Sequence, residues 1–305
     1  MSNDIAQQIQ DLKQERNAII LAHNYQPGEV QDIADFVGDS LELSRKAAEV
    51  EDADVIVFCG VHFMAETAAI LSPEKTVLLP DPLAGCPMAD MINGDQLREL
   101  KAKHPGAAVV CYVNSTADVK AESDCCCTSA NAVQIINSFP KDQDIIFVPD
   151  QYLGDYVAER TGRELIFWPG YCPSHAKILD IHIARAREEH PGAVVITHPE
   201  CARPTRDAAD EILSTGGMVR IAAESDATEF IVATETGMLH RLRKDNPGKS
   251  FYPATEACLC PNMKKIRIEK VLWALQDTKH VIQVKEPIRT KAESSIRRML
   301  EVCAG

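Results

Sequence analysis

The sequence predicts an α/β protein built from three pseudo-threefold-related units, each a parallel sheet covered by helices, with a functional site on the central axis. Three observations lead there. Continuous apolar runs, of the kind found in strands buried on both faces, alternate with helical patterns from end to end, as in "AIILAHNY", "DVIVFCG" and "TVLLP". A His-Pro-Gly-Ala turn followed by a Val-Val strand occurs twice, in "AKHPGAAVVCYVN" and "EEHPGAVVITHPE", with His104 and His190 86 residues apart. Only three cysteines precede a proline, Cys86, Cys172 and Cys260, and they are spaced by 86 and 88 residues.

The elements follow in order. The chain opens on a polar stretch whose Ile5, Ile9 and Leu12 share one helical face, which is not the pattern of an export signal. The first unit is expected over residues 1–85, the second over 86–171 and the third over 172–283, with the C-terminal segment 284–305 packing against the first. An offset of 86 lays Thr128-Ser129 over Ser214-Thr215. An offset of 89 lays Tyr112 over His23, Asn114 over Tyr25, Ser129 over Ser40 and Phe147 over Phe58. Each Cys-Pro pair follows a strand-like run ("TVLLP", "ELIFWP", "KSFYP") and precedes a helical pattern. Proline suits the first turn of a helix, so each cysteine is expected near a helix N-terminus, where free N–H groups favour a thiolate.

Composition narrows the function. The 305 residues are 45% hydrophobic and 25% charged, and the apolar runs are too short to span a bilayer. A net charge of −13 with no basic run speaks against a nucleic-acid or anionic-membrane partner. Eleven cysteines without an export signal are expected to be reduced thiols or metal ligands in a cytoplasmic protein, and no CxxC occurs.

Three equivalent units around an axis would bring Cys86, Cys172 and Cys260 together as a metal or cluster site with one position left open. Zinc and an iron–sulfur cluster are the candidates. A structural zinc site would close with a fourth protein ligand, and none shares the register, so a [4Fe–4S] cluster with an open iron fits better. The same register aligns the strand-end pairs His23/Tyr25, Tyr112/Asn114 and His198/Glu200, at the edge where parallel sheets bind ligands. His198 and Glu200, two apart on an extended segment, point the same way and suit acid–base chemistry. Ser40, Ser129, Ser214 and Thr215 open helical patterns and could cradle an anion, although an ordinary helix cap needs the same residues. His175 reads either as a neighbour of the metal site or as a surface histidine, and Met64 as pocket wall or core. The run Cys125–Cys127 aligns with Phe36–Gly38 and Glu211–Leu213, which predicts a short buried strand rather than a metal clasp.

The stretches "AHNYQPGEVQDIADFVGDSLELS", "GCPMADM", "YVNSTADVKAESD", "TSANAV", "GYCPSHAKI", "THPEC", "STGGM" and "CPNMKKI" resemble the quinolinate synthase family over most of the chain. The resemblance implies three α/β domains in pseudo-threefold arrangement and one [4Fe–4S] cluster on three cysteines, here Cys86, Cys172 and Cys260. It implies condensation of iminoaspartate with dihydroxyacetone phosphate to quinolinate, phosphate and two waters, in de novo NAD synthesis. An L-aspartate oxidase or dehydrogenase would supply the iminoaspartate. Carried onto matching positions, His23, Tyr25, Ser40, Tyr112, Asn114 and Ser129 line the pocket with His198, Glu200, Ser214 and Thr215. Glu200 and His198 would be the main proton-transfer pair, with Tyr25 and Tyr112 positioning the intermediate or shuttling a proton. Ser40, Ser129 and Thr215 would bind phosphate or carboxylates. Some members carry CxxCxxC near the third ligand, whereas this chain has "ACLCPNM", which favours Cys260 over Cys258 and weakens any disulfide switch.

Two other readings remain open on the residues alone. One is another cluster-dependent hydro-lyase acting on a small polycarboxylate. The other is a non-catalytic α/β scaffold around structural zinc.

Overall fold

The computed structural model describes residues 2–303. In the first unit, α1 (Ser2–Glu15), β1 (Ala18–His23), α2 (Gly28–Ile33), β2 (Phe36–Gly38), α3 (Ser40–Glu49), β3 (Val55–Cys59), α4 (His62–Leu71) and β4 (Thr76–Leu78) alternate helix and strand. The second repeats the order with α5 (Gly94–Lys103), β5 (Ala108–Tyr112), α6 (Ala117–Ala121), β6 (Cys125–Cys127), α7 (Ala132–Asn137), β7 (Ile145–Val148), α8 (Gln151–Thr161) and β8 (Ile166–Phe167). The third does so with α9 (Asp180–Glu189), β9 (Val194–Thr197), α10 (Arg203–Asp207), β10 (Glu211–Ile212), α11 (Thr215–Glu224), β11 (Glu229–Ala233), α12 (Met238–Asp245) and β12 (Ser250–Pro253). Helices α13 (Ile268–Asp277) and α14 (Ile288–Val302) close the chain.

Each unit forms one parallel four-stranded sheet with the same order: β2-β1-β3-β4, β6-β5-β7-β8 and β10-β9-β11-β12. The first strand of each unit is central and flanked by helices. Its residues are therefore apolar on both faces, as Ile20, Leu21, Val109, Val110, Val195 and Ile196 show by complete burial. Burial of these strands against the flanking helices contributes to the hydrophobic drive for the architecture.

The run Cys125–Cys127 is the edge strand β6, buried throughout and paired with Val110–Tyr112. It occupies the place that Phe36–Gly38 and Glu211–Ile212 occupy in the other sheets. An uncovered edge strand is a liability, and α14 lies along β6 and α6, with Ala292, Ser295, Ile296 and Met299 facing inward. Ser295 Oγ donates to the Lys120 carbonyl at 2.9 Å, and Cys126 Sγ stands 3.4 Å from Ser295 Oγ. The C-terminal segment, expected against the first unit, does reach α4 there, but its main seat is the second unit. The return to the first unit is made earlier, by α13 packing on α1 and by Ile282 N–H donating to the Val77 carbonyl at 2.8 Å.

Candidate functional site

In each sheet the first strand ends beside the second, pairing His23 with Gly38, Tyr112 with Cys127 and Thr197 with Ile212. The chain then turns into a helix, so strand-end side chains and the following hydroxyl residues face one another at the C-terminal edge of every sheet. The three edges meet around one cavity, a concave setting of the kind that takes a small ligand. Of the sequence-predicted residues, His23, Tyr25, Tyr112, Asn114, His198 and Glu200 line it, as do Ser40, Ser129, Thr215 and all three Cys-Pro cysteines.

The cysteine turns share one anchoring device. His62 N–H donates to the Ala84 carbonyl at 2.8 Å, Gln151 N–H to the Gly170 carbonyl at 2.8 Å, and Thr236 N–H to the Cys258 carbonyl at 3.0 Å. In every unit the residue that starts the chain after the third strand thus holds the carbonyl two positions before the cysteine. The turns lead into short 3-10 segments (Ala89–Met91, His175–Lys177, Met263–Lys265) rather than straight into α-helices. Burial pushes the Cys86 thiol up to about 12, against the opposing Ala89 and Met88 amides. Burial and the Glu200 charge raise Cys172 further above the ordinary thiol range. The Cys86 and Cys172 thiols thus resist ionisation where they stand, and a metal centre would supply the positive charge that a thiolate needs there.

Glu200 organises the polar half of the cavity. His175 Nδ1 lies 2.8 Å from Glu200 Oε2, Tyr112 O–H donates to Oε1 at 2.5 Å, and Asn114 Nδ2 stands 3.4 Å from Oε1. Burial alone would raise this carboxyl, but the facing His175 and the Tyr112 hydroxyl outweigh it and hold Glu200 below the usual carboxylate range. Tyr25 and Tyr112 are shifted upward by burial and by that same charge, so both remain protonated donors. A chain of contacts continues outward: His175 Nε2 lies 2.8 Å from Thr234 Oγ1, and Thr234 Oγ1 lies 2.6 Å from Tyr25 O–H. His175 thus faces Glu200 through Nδ1 and shares Thr234 Oγ1 with the Tyr25 hydroxyl through Nε2.

His23 and His198 are set by a shared local motif. Tyr25 N–H donates to His23 Nδ1 at 3.1 Å, and Glu200 N–H donates to His198 Nδ1 at 3.3 Å. With Nδ1 occupied as an acceptor, the neutral ring carries its proton on Nε2. Burial lowers both imidazoles to about 3, despite the Glu200 charge. Each is therefore a neutral N–H donor, and His198 Nε2 points at Ser129 Oγ, 3.2 Å away.

The hydroxyl set divides between two jobs. Asp39 caps α3 through Leu41 N–H and Glu42 N–H, both at 2.9 Å, leaving Ser40 at the first helical position to face the cavity. Ser214 likewise caps α11, its Oγ accepting from Gly217 N–H at 3.1 Å, and it does not line the cavity; Thr215 next to it does. Asn24 Nδ2 donates to Thr215 Oγ1 at 2.9 Å across the junction of the first and third units. Asn114 Oδ1 is buried without a hydrogen-bond partner, a free acceptor at the cavity wall.

Sequence reasoning left His175 undecided and missed Thr234 and Glu235. His175 is 2% exposed, stacks on His198 with centroids 4.8 Å apart, and sits 3.1 Å from Cys172 Sγ through Nδ1. Glu235 lines the cavity on the side of Cys260. Its position, two past the end of β11, matches Asp150 two past β7 and Val61 two past β3, a register that was available in the sequence.

Cys172 Sγ, His175 Nδ1 and a Glu200 oxygen lie within 4.8 Å of one another and could hold a metal ion. The three Cys-Pro cysteines do not form such a close set among the described residues.

The chain matches known proteins over nearly its full length. A family model described as quinolinate synthetase A protein matches residues 7–301. A quinolinate synthase of Dehalococcoides mccartyi strain CBDB1 is 61% identical over 298 residues, covering 98% of both chains. That of Thermodesulfovibrio yellowstonii is 54% identical over 301 residues, covering 98% of this chain and 99% of its own. Quinolinate synthase 1 of Methanosarcina acetivorans is 52% identical over 299 residues, covering 98% of both.

Proposed function

The chain belongs to the quinolinate synthase family, and on that premise we propose that it condenses iminoaspartate with dihydroxyacetone phosphate, releasing quinolinate, phosphate and two waters. The observation that carries the reading is the meeting, in one cavity, of three half-buried cysteines from three units with Glu200, His198 and two protonated tyrosines. Cys86, Cys172 and Cys260 would hold a [4Fe–4S] cluster. When bound, that cluster supplies a Lewis-acidic iron without a protein ligand, suited to dehydration chemistry.

The chain's own residues do the rest. Ser40, Ser129 and Thr215 offer hydroxyls to phosphate and carboxylate oxygens, which an acidic protein must attract locally. His23 and His198 present neutral Nε2–H groups to negative charge developing on a substrate oxygen, without repelling a proton transfer nearby. Glu200, ionised and buried, accepts protons from carbon as the ring closes. Tyr112 donates to the other oxygen of that carboxylate and holds its orientation. The Tyr25–Thr234–His175 series offers a path for a proton to return to Glu200. Enclosure matters because an imine hydrolyses in open water, and a cavity closed by three units limits that loss. An L-aspartate oxidase or dehydrogenase, oxidising an amino acid to its imine, would supply the first substrate, in the cytoplasm. The chemistry is that of a transferase coupled to dehydrations.

The close set of Cys172, His175 and Glu200 favours one rival, a single zinc ion in the cavity. Metal analysis of anaerobically purified protein separates the two. Brown protein with about four irons per chain supports the cluster; colourless protein carrying one zinc supports the rival.

A further inference from the structure

The third unit brings two carboxylates to the cavity, and they face different ways. Glu200 meets the tyrosines and His175; Glu235 turns toward Cys260. Glu235 is 1% exposed. Its Oε1 accepts from Cys260 N–H at 3.0 Å and from Lys264 Nζ at 2.9 Å. Its Oε2 accepts from Gly237 N–H at 2.7 Å and from Lys264 Nζ at 3.0 Å. Lys264 Nζ also donates to the Tyr25 carbonyl at 2.5 Å, in the first unit. The grouping is tight: a Cβ on Gly237 would fall 2.6 Å from both Lys264 Nζ and the Tyr25 carbonyl oxygen, and 2.8 Å from Glu235 Oε2.

The equivalent positions do something else. Val61 carries no charge, and Asp150 spends Oδ1 on capping α8 through Tyr152 N–H at 2.8 Å and Leu153 N–H at 3.2 Å. Neither is bonded to the N–H of Cys86 or Cys172 among the described residues. The carboxylate clamp is peculiar to the third cysteine, whose turn carries the exposed Leu259 at its tip.

We propose that Glu235 is a positioning residue for the third cysteine: its carboxylate ties the Cys260 backbone, and through Lys264 the Tyr25 strand end, into one rigid corner of the cavity. The proposal rests on the reading of Cys260 as a cluster ligand. It requires a carboxylate specifically. Each oxygen receives one backbone N–H and the ammonium, so an amide in either orientation sets its NH2 against a backbone N–H and Lys264 together. Glu235→Gln should therefore fail to substitute, although it keeps the shape of the side chain.

The test compares wild type, E235A, E235Q and C260A after anaerobic reconstitution, measuring iron per chain, the rate of cluster loss to a chelator, and the denaturation midpoint of the metal-free protein. Loss of a group that orients a metal ligand typically costs about 10- to 100-fold in metal retention. The expected result is cluster loss faster by that factor in both E235A and E235Q, from protein that remains folded at the assay temperature. A merely structural glutamate would lower the denaturation midpoint and leave the chelation rate of the folded protein unchanged. Chelation rates in E235Q within about twofold of wild type would overturn the proposal, since the isosteric variant cannot fail through lost packing. If C260A keeps its full iron, the reading of Cys260 as a ligand falls and takes this proposal with it. If C260A loses its iron while both Glu235 variants keep theirs as long as wild type, the Glu235 proposal alone falls.

Discussion

Acidifying the metal-free protein should weaken it steeply between pH 7.5 and 5, and His23 and His198 should account for much of the slope. Both imidazoles are lowered to about 3 in the folded state by burial, against an ordinary value near 6.5 in the unfolded chain. Between those values the unfolded chain binds protons that the folded chain refuses, so stability rises with pH in that window and is lost as pH falls. At pH 5 each histidine withdraws about 2 kcal/mol, and the pair about 4 kcal/mol, relative to pH 7.5. The figure is insensitive to the depth of the shift, because a folded-state value of 4 in place of 3 changes it by only about 0.1 kcal/mol per histidine. Against a typical total of 5–15 kcal/mol, this is a large fraction. The assay is urea denaturation across that pH range for wild type and for the double variant His23→Gln/His198→Gln. The wild type should lose about 4 kcal/mol more than the variant on acidification. Parallel curves would refute the neutral, Nε2-protonated state assigned to both rings, and with it their role as uncharged donors.

Other outcomes follow from the same geometry. Cys86→Ala, Cys172→Ala and Cys260→Ala should each abolish the cluster, read as iron and sulfide content; retention in any one removes that residue from the ligand set. Glu200→Gln should keep the cluster and reduce kcat by about 10²- to 10⁴-fold, the range of a lost acid–base group; an unchanged kcat would move the proton acceptor elsewhere. Ser214→Ala should cost about 1 kcal/mol of stability as a lost helix cap, with KM for the triose phosphate unchanged, whereas Thr215→Val should raise that KM. A raised KM in Ser214→Ala would return its hydroxyl to the substrate.

Much of this was legible in the sequence because the chain repeats. The His-Pro-Gly-Ala register located the parallel strands, and the Cys-Pro spacing separated three cysteines from eight others. The conspicuous run Cys125–Cys127 could be set aside as strand filler, since its counterparts are apolar at two of three positions. What escaped has physical reasons. His175 looks the same in sequence whether its 3-10 segment turns the ring inward or outward. Ser214 and Thr215 are both hydroxyl residues at a helix start, and only the placement of the cap distinguishes them. Thr234 and Glu235 share a strand-end register with Asp150, but Val61 breaks the chemical pattern that would have drawn attention there. The inward face of α14 was readable as apolar, yet nothing in its own residues names the exposed edge of β6 as the surface it covers.

The proposed reaction would make quinolinate in the cavity that joins the three units. Anaerobically reconstituted protein, given iminoaspartate generated in place and dihydroxyacetone phosphate, should release quinolinate and phosphate in equal amounts. No quinolinate from protein with its iron intact would contradict the account, and would leave the three-unit fold in need of another reaction.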